Sequence, residues 1–217
     1  MNSNELSQLL ENIDWTIFAA DATRADLEKL CAEARQKSYR AVCVNGSRVE
    51  LARTLLDEAE SSVKVVALIG FPLGASDCDS KRYETEIAVD HGAHEIEVVI
   101  NVGRLKDGDH QYVLRELRDI AEAADERPVV AVIESHLLSR DEKILACQVV
   151  LDSGAHFIVN ATDFHSPNCA FGEIKLLRET IGETFGVKAA GNIRDAQTAL
   201  RLMEAGATRI GISSGWI

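Results

Sequence analysis

Proline is scarce in this chain, with three in 217 residues, and aromatic residues make up only 5% of it. So little proline, and no low-complexity tract, excludes polyproline and collagen-like scaffolds. No apolar run reaches the roughly 18 uninterrupted residues that a membrane-spanning helix needs. Basic clusters are missing too: 23 Lys and Arg stand against 35 Asp and Glu, a formal net charge of −12. Nucleic-acid binding, which needs clustered cations to neutralise phosphates, is therefore not expected. A locally positive pocket for a small anion is still compatible with an acidic surface. The five cysteines (Cys31, Cys43, Cys78, Cys147 and Cys169) are odd in number and form no CxxC pair. They give neither a zinc motif nor a disulfide framework and fit a reducing compartment. The start, Met1-Asn-Ser-Asn-Glu-Leu6, has no basic segment leading into an apolar run, so a cytoplasmic location without membrane partners is expected.

Hydrophobic residues make up 46% and charged residues 27% of the chain, enough to bury a full core at this length. Short, β-branched, nearly continuous apolar runs lie at Arg40–Asn45, Val63–Gly70, Glu95–Asn101, Val129–Glu134, His156–Thr162, Val187–Gly191 and Arg209–Ser213. Such runs are parallel strands buried on both faces. Between them lie amphipathic segments at Thr23–Lys37, Ser47–Glu60, Lys81–His91, Asp109–Ala124, Arg140–Ser153, Glu173–Ile181 and Ala196–Ala205. Ser139-Arg-Asp-Glu142 has the capping-box pattern, and Gly92, Gly154 and Gly206 stand where helix C-caps belong. With Ile13–Ile17 as a first strand, the alternation predicts an α/β fold, a single-domain (β/α)8 TIM barrel over residues 1–217. An extra N-terminal helix falls within residues 1–12, and an open doubly wound sheet is the alternative.

Barrel enzymes place their chemistry at the C-terminal ends of the strands. Those ends carry Asp14 and Thr16, Cys43 and Asn45, Asn101, Glu134 and His136, Asn160 and Thr162, Lys188, Gly191, Ser213 and Ser214. Polar groups closing apolar strands are costly to bury unless paired, so they either bond one another or line a pocket. Gly211-Ile-Ser-Ser-Gly215 offers N–H groups and two hydroxyls for an anion, and Gly191-Asn192 supplies the other half of such a site in many barrels. A phosphate cradle of Gly191, Asn192, Ser213, Ser214 and Gly215 is the expectation. Glu134, His136, Asp163 and His165 follow adjacent strands and suit either a His/carboxylate metal site or an imidazole–carboxylate acid–base pair.

Five stretches carry a family resemblance: Ile69-Gly-Phe-Pro-Leu-Gly-Ala75, Glu95-Ile-Glu-Val-Val-Ile-Asn101, Gly154-Ala-His-Phe-Ile-Val-Asn-Ala-Thr-Asp-Phe164, Gly186-Val-Lys-Ala-Ala-Gly-Asn-Ile-Arg194 and Gly206-Ala-Thr-Arg-Ile-Gly-Ile-Ser-Ser-Gly215. From about Ile13 onward the chain resembles the deoxyribose-phosphate aldolases. The resemblance implies a barrel whose strand around 157–162 carries a lysine that forms a Schiff base with the substrate carbonyl. Val159 stands at that position and has no amine. Lys188 matches a second lysine, which in such proteins lowers the pKa of the first by like-charge repulsion, and Val130 stands where the family has a further lysine. Glu97 occupies the place of an aspartate that shuttles a proton, Asn192 that of a glycine, and Asp163 that of another glycine. Asp14, Thr16, Asn45 and Glu134 match residues that line or support the pocket in the relatives.

Without a cationic neighbour, Lys188 is expected near its ordinary pKa of about 10 and protonated, unless burial lowers it enough to form an imine itself. Three functions follow. The first is an aldolase-like enzyme acting on a small, phosphorylated carbonyl compound. Its chemistry is a Schiff base relocated to Lys188, or proton transfer through Glu97, Glu134, Asp163 or His136 with Lys188 stabilising an oxyanion, and Asn160 is counted with them among the catalytic residues. The second is an inactive ligand-binding pseudoenzyme. The third is a metal-dependent lyase using His136, Asp163 and His165. No cofactor is implied by the first two, and analogy suggests a homodimer.

Overall fold

The computed structural model describes residues 3–164 and 166–213, with side chains described from residue 6 onward. Eight parallel strands form a closed barrel in sequence order: β1 (Ile13–Ile17), β2 (Ala41–Asn45), β3 (Lys64–Ile69), β4 (Glu95–Val99), β5 (Val129–Val132), β6 (Phe157–Val159), β7 (Gly186–Ala189) and β8 (Arg209–Ile212). β8 closes on β1 through the pairs Ile13 with Ile210 and Asp14 with Gly211. The barrel predicted from the alternating apolar runs is therefore the observed fold, and the open sheet is not. No helix among the described residues is long and apolar enough to cross a membrane.

The helices of the outer ring are α2 (Arg24–Gln36), α3 (Val49–Asp57), α4 (Cys78–Asp90), α6 (His110–Ala123), α7 (Arg140–Leu151), α8 (Phe171–Ile181) and α9 (Ala196–Glu204). The extra N-terminal helix α1 (Ser3–Leu10) lies against α9. Each helix turns an apolar stripe to the strands; in α6 the stripe is Val113, Leu117 and Ile120, all fully buried. Local chemistry sets the starts. Thr23 with Asp26 and Ser139 with Glu142 form two capping boxes, satisfying helix-end N–H groups that would otherwise lack partners. Gly92, with φ +88°, ends α4 in a conformation that side chains rarely adopt.

Three local departures bear on the site. β6 stops at Val159, so Asn160-Ala-Thr162 belongs to the mouth and not to the sheet. α4 begins at Cys78 because Asp77 accepts the Asp79 N–H as its cap. A short helix, α5 (Val102–Lys106), follows β4 where the sequence suggested only a loop, started by the Asn101 side chain accepting from Arg104 N.

Candidate active site

Alternate residues of each strand point into the barrel, and the inward ones stack in layers. The lower layer is ionic. Arg40 and Arg209 both donate to Glu95, Arg209 at 2.7 Å, and the Arg209 guanidinium lies 3.5 Å from the centre of the Phe157 ring. The middle layer brings together Asp14, Cys43, Glu97 and Lys188. Lys188 Nζ is 2.6 Å from Glu97 Oε2, 3.1 Å from Asp14 Oδ2 and 3.8 Å from Cys43 Sγ. Asp14 joins the layers, since its other oxygen accepts from Arg40 Nε at 2.6 Å. The cations Arg40, Arg209 and Lys188 are thus matched by Asp14, Glu95 and Glu97.

Lys188 is 1% exposed. Burial alone pulls its pKa down, but the neighbouring Asp14 and Glu97 carboxylates outweigh that and hold it above the ordinary lysine value. Asp14 shows the mirror effect: burial pushes its carboxyl up, while Lys188 and Arg40 bring it well below the usual carboxylate range. Burial pushes the Cys43 thiol up to about 12, so it is a neutral SH at physiological pH. The like-charged lysine expected from the resemblance is absent, and two carboxylates take its place. The result is a fixed ammonium. Gly211 leaves room for it, because a Cβ there would meet Lys188 Cε at 3.0 Å.

On the next strand, Val159 is the register partner of Lys188. It is fully buried in an apolar wall with Val99, Val130, Val132 and Ala190, against which Phe71 packs. Phe18, Phe71 and Phe164 follow the ends of β1, β3 and β6, and their ring centroids lie 5.5 to 6.1 Å apart. They roof this side of the mouth, and Phe164 is 38% exposed.

The polar side of the mouth lies after β5, β6 and β7. Glu134, Asp163 and Asn192 have φ values of +45°, +64° and +53°. Positive φ in non-glycine residues is uncommon and collects at functional sites, although Asp and Asn tolerate it better than Glu does. Glu134 accepts the Thr162 N–H and lies 3.3 Å from His136 Nδ1. Burial, with Asp163 nearby, raises its pKa despite the bonds to Thr162 and the His136 contact that act the other way. Asp163 Oδ1 accepts the backbone N–H of Asn192 at 2.6 Å.

Of the anticipated site residues, Lys188, Glu97 and Asp14 converge, and so do Glu134, His136 and the loop bearing Asp163. Asn160, anticipated as catalytic, is engaged elsewhere: its amide both donates to and accepts from the backbone of Ala190 at 2.8 Å, bridging β6 and β7. Thr16 and Asn45 lie at the mouth ends of β1 and β2, with Asn45 Nδ2 3.5 Å from the Phe18 carbonyl. Of the anticipated phosphate cradle, Gly191 is buried under the Pro167 carbonyl, Ser213 is exposed, and Asn192 has its N–H occupied by Asp163. Ser214, Gly215 and His165 lie outside the described residues.

The metal site weighed at His136, Asp163 and His165 includes a residue, His165, that lies outside the described residues. Among the described residues, the side chains close enough to share an ion are Asp14, Cys43 and Glu97, with donor atoms within 4.8 Å of one another. The Lys188 ammonium already lies among them. Sequence reasoning missed three things: Asp14 as a partner of Lys188, the Arg40–Glu95–Arg209 layer, and the Asp163–Asn192 bond. For the middle layer a signal was present, an aspartate on one inward-facing strand and a glutamate on another, both flanked by apolar neighbours.

Lys188→Met is expected to destabilise the protein more as pH rises from about 4 to about 7. In the native chain Lys188 titrates above its ordinary 10.5 and Asp14 below its ordinary 3.8, so neither changes charge on folding in that window. Without the ammonium, Asp14 and Glu97 are adjacent buried carboxylates, and one folded-state pKa rises above its unfolded value. Stability from that proton is present at low pH and lost as pH rises. Denaturant titrations of both proteins at several pH values check this, and a pH-independent gap would contradict the pairing.

The fold and site define a (β/α)8 barrel with a buried lysine–carboxylate centre beneath its mouth. A family model for DeoC/LacD family aldolases matches residues 9–169. The deoxyribose-phosphate aldolase of Alkaliphilus oremlandii (strain OhILAs) is 45% identical over 203 residues, covering 93% of this chain and 90% of that protein. Among solved structures, QR15, an aldolase, superposes with a TM-score of 0.91 at 31% identity, covering 95% of this chain and 91% of that one. Deoxyribose phosphate aldolase from Aeropyrum pernix, described as having a unique tetrameric structure, gives 0.88 at 24% identity over 99% of this chain and 95% of its own. At that identity it speaks for the fold alone. The chain belongs to the DeoC/LacD aldolase family and is deoxyribose-phosphate-aldolase-like.

Proposed function

We propose that the chain is an aldolase-type lyase for a small carbonyl compound, working through a non-covalent enolate and without an imine. The observation that carries this reading is the buried Lys188 ammonium, bonded to Glu97 and Asp14 beside an apolar Val159. An ammonium is a poor nucleophile and a good partner for an oxyanion. It donates to Glu97 Oε2, pairs with Asp14 Oδ2 at 3.1 Å, and among the described residues its remaining hydrogen-bond contact is the Cys43 sulfur, a weak acceptor. A carbonyl oxygen displacing that contact is polarised. Glu97 then takes the proton of the substrate's β-hydroxyl, the bond between the α and β carbons breaks, and its electron pair forms an enolate whose oxygen the ammonium stabilises. The proton returns from Glu97 to the α carbon, leaving two carbonyl products.

The same site without turnover is the rival reading, favoured by how completely its charges cancel. Deuterium exchange separates the two. Acetaldehyde in D2O, followed by proton NMR, is expected to lose its methyl signal faster with the native chain than with Lys188→Met or Glu97→Gln. A general base and an oxyanion donor each contribute about 100-fold or more to such steps. Exchange no faster than in the variants would assign the protein to ligand binding alone.

A further inference from the structure

We infer that Asp163 blocks the β7 side of the anion site at the mouth against phosphate, so that the compound bound against it ends in an uncharged hydroxyl. This rests on the carbonyl-compound reading above and narrows it to an unphosphorylated polyhydroxy compound. After β7, where many barrels grip a phosphate with free backbone N–H groups, the Asn192 N–H is bonded to Asp163 Oδ1 at 2.6 Å. The protein's own carboxylate stands where an anionic oxygen of the ligand would be. Other groups of this loop are engaged as well. Asn192 Nδ2 donates to Asn168 Oδ1 and Asn192 Oδ1 accepts from Arg194 Nε, while Gly191 O accepts from Cys169 N. Gly191 has no room for a larger residue, because a Cβ would meet the Pro167 carbonyl at 2.9 Å.

Asp163 has a second oxygen, Oδ2, which is buried and has no hydrogen-bond partner among the described residues. A buried carboxylate oxygen without a partner is costly and calls for a donor. A phosphate is an anion at physiological pH and is repelled by the Asp163 carboxylate, with the Glu134 carboxyl close behind it. A hydroxyl supplies the missing hydrogen. The cation on the loop, Arg194, is exposed and turned to the Asn192 side chain.

The backbone makes the test clean. Asp163 has φ +64°, a conformation that glycine adopts freely and asparagine tolerates, so Asp163→Gly and Asp163→Asn both suit the native loop. Binding of inorganic phosphate, 2-deoxyribose and 2-deoxyribose 5-phosphate is measured by calorimetry on the three proteins. The native chain is expected to bind 2-deoxyribose at least about tenfold more tightly than its 5-phosphate. Asp163→Gly is expected to reverse that order and to gain at least about tenfold in affinity for inorganic phosphate. Asp163→Asn, which keeps the bond to the Asn192 N–H, gains less. Native protein that binds phosphate as tightly as Asp163→Gly would overturn the inference, as would a folded Asp163→Gly that gains nothing. Phosphate binding is read without turnover, so failure of the lyase reading in the exchange experiment leaves this outcome separately visible.

Discussion

Replacing Val159 with lysine is expected to give a protein that acetaldehyde and borohydride trap stoichiometrically at position 159. Val159 is fully buried among Val99, Val130, Val132 and Ala190, and it is the register partner of Lys188. An amine placed there meets two influences of the same sign. Apolar surroundings disfavour its charged form, and the adjacent Lys188 ammonium repels it. Both lower its pKa and raise the fraction of free amine, which is how a lysine becomes a nucleophile. Overpacking the wall costs about 1–3 kcal/mol, tolerable for a domain of ordinary stability. Intact mass followed by peptide mapping reads the result. An adduct confined to position 159 shows that the wall is open to small carbonyl compounds and that only the nucleophile is missing. A folded variant with no adduct would mean that the aromatic roof of Phe18, Phe71 and Phe164 excludes ligand from this wall.

The second large effect lies outside the pocket. Lys81→Met is expected to destabilise the protein by about 3–5 kcal/mol, the usual result of breaking a buried ion pair from one side. Lys81 on α4 and Glu116 on α6 are both fully buried, with Nζ 2.7 Å from the carboxylate. Lys81 also donates to the Val99 carbonyl at 2.7 Å, and Glu116 accepts the Asn101 N–H at 3.1 Å. The pair therefore fastens two helices to the mouth end of β4, the strand that carries Glu97. Burial lowers the pKa of Lys81 and raises that of Glu116, each offset in part by the other's charge. Removing the lysine leaves a carboxyl in the core with no counter-charge. The double variant Lys81→Met, Glu116→Leu is expected to recover part of the loss, because it removes both desolvated groups. Urea denaturation of the three proteins measures this. A single variant within about 0.5 kcal/mol of native would show that the pair is dispensable.

Much of the barrel is legible in the sequence because parallel strands covered on both faces leave continuous β-branched runs such as Val63–Gly70 and Val129–Glu134. Capping chemistry is equally local, and Ser139-Arg-Asp-Glu142 reads directly as the start of α7. Strand ends are less legible. His156–Thr162 continues apolar past Val159, yet the sheet stops there because Asn160 turns its amide onto Ala190. The short α5 was missed because five residues after an asparagine carry too little periodicity.

The site divides the same way. Lys188 and Glu97 stand on inward-facing strand positions, and both are among the catalytic candidates read from the sequence. The contact of Lys188 with Asp14 joins strands on either side of β8, and no spacing in the chain encodes it. Lys81 was hidden for a different reason. A lone lysine in an amphipathic segment reads as a solvated side chain, and only the packing of α4 on α6 shows it to be buried. Asp163 stood out as a replacement for glycine. Its bond to Asn192 depends on two loops with positive φ meeting above the sheet, which residue identity alone does not encode.

Whether Lys188 ever acts as an amine decides the central claim. Native chain and Lys188→Met are incubated with acetaldehyde and with 2-deoxyribose under borohydride, and their intact masses are compared. The clamped ammonium predicts no specific adduct on either protein, with Val159→Lys as the positive control. A stoichiometric adduct on the native chain that maps to Lys188 and vanishes in Lys188→Met would contradict it, and would make this protein an aldolase whose Schiff base has moved from strand six to strand seven.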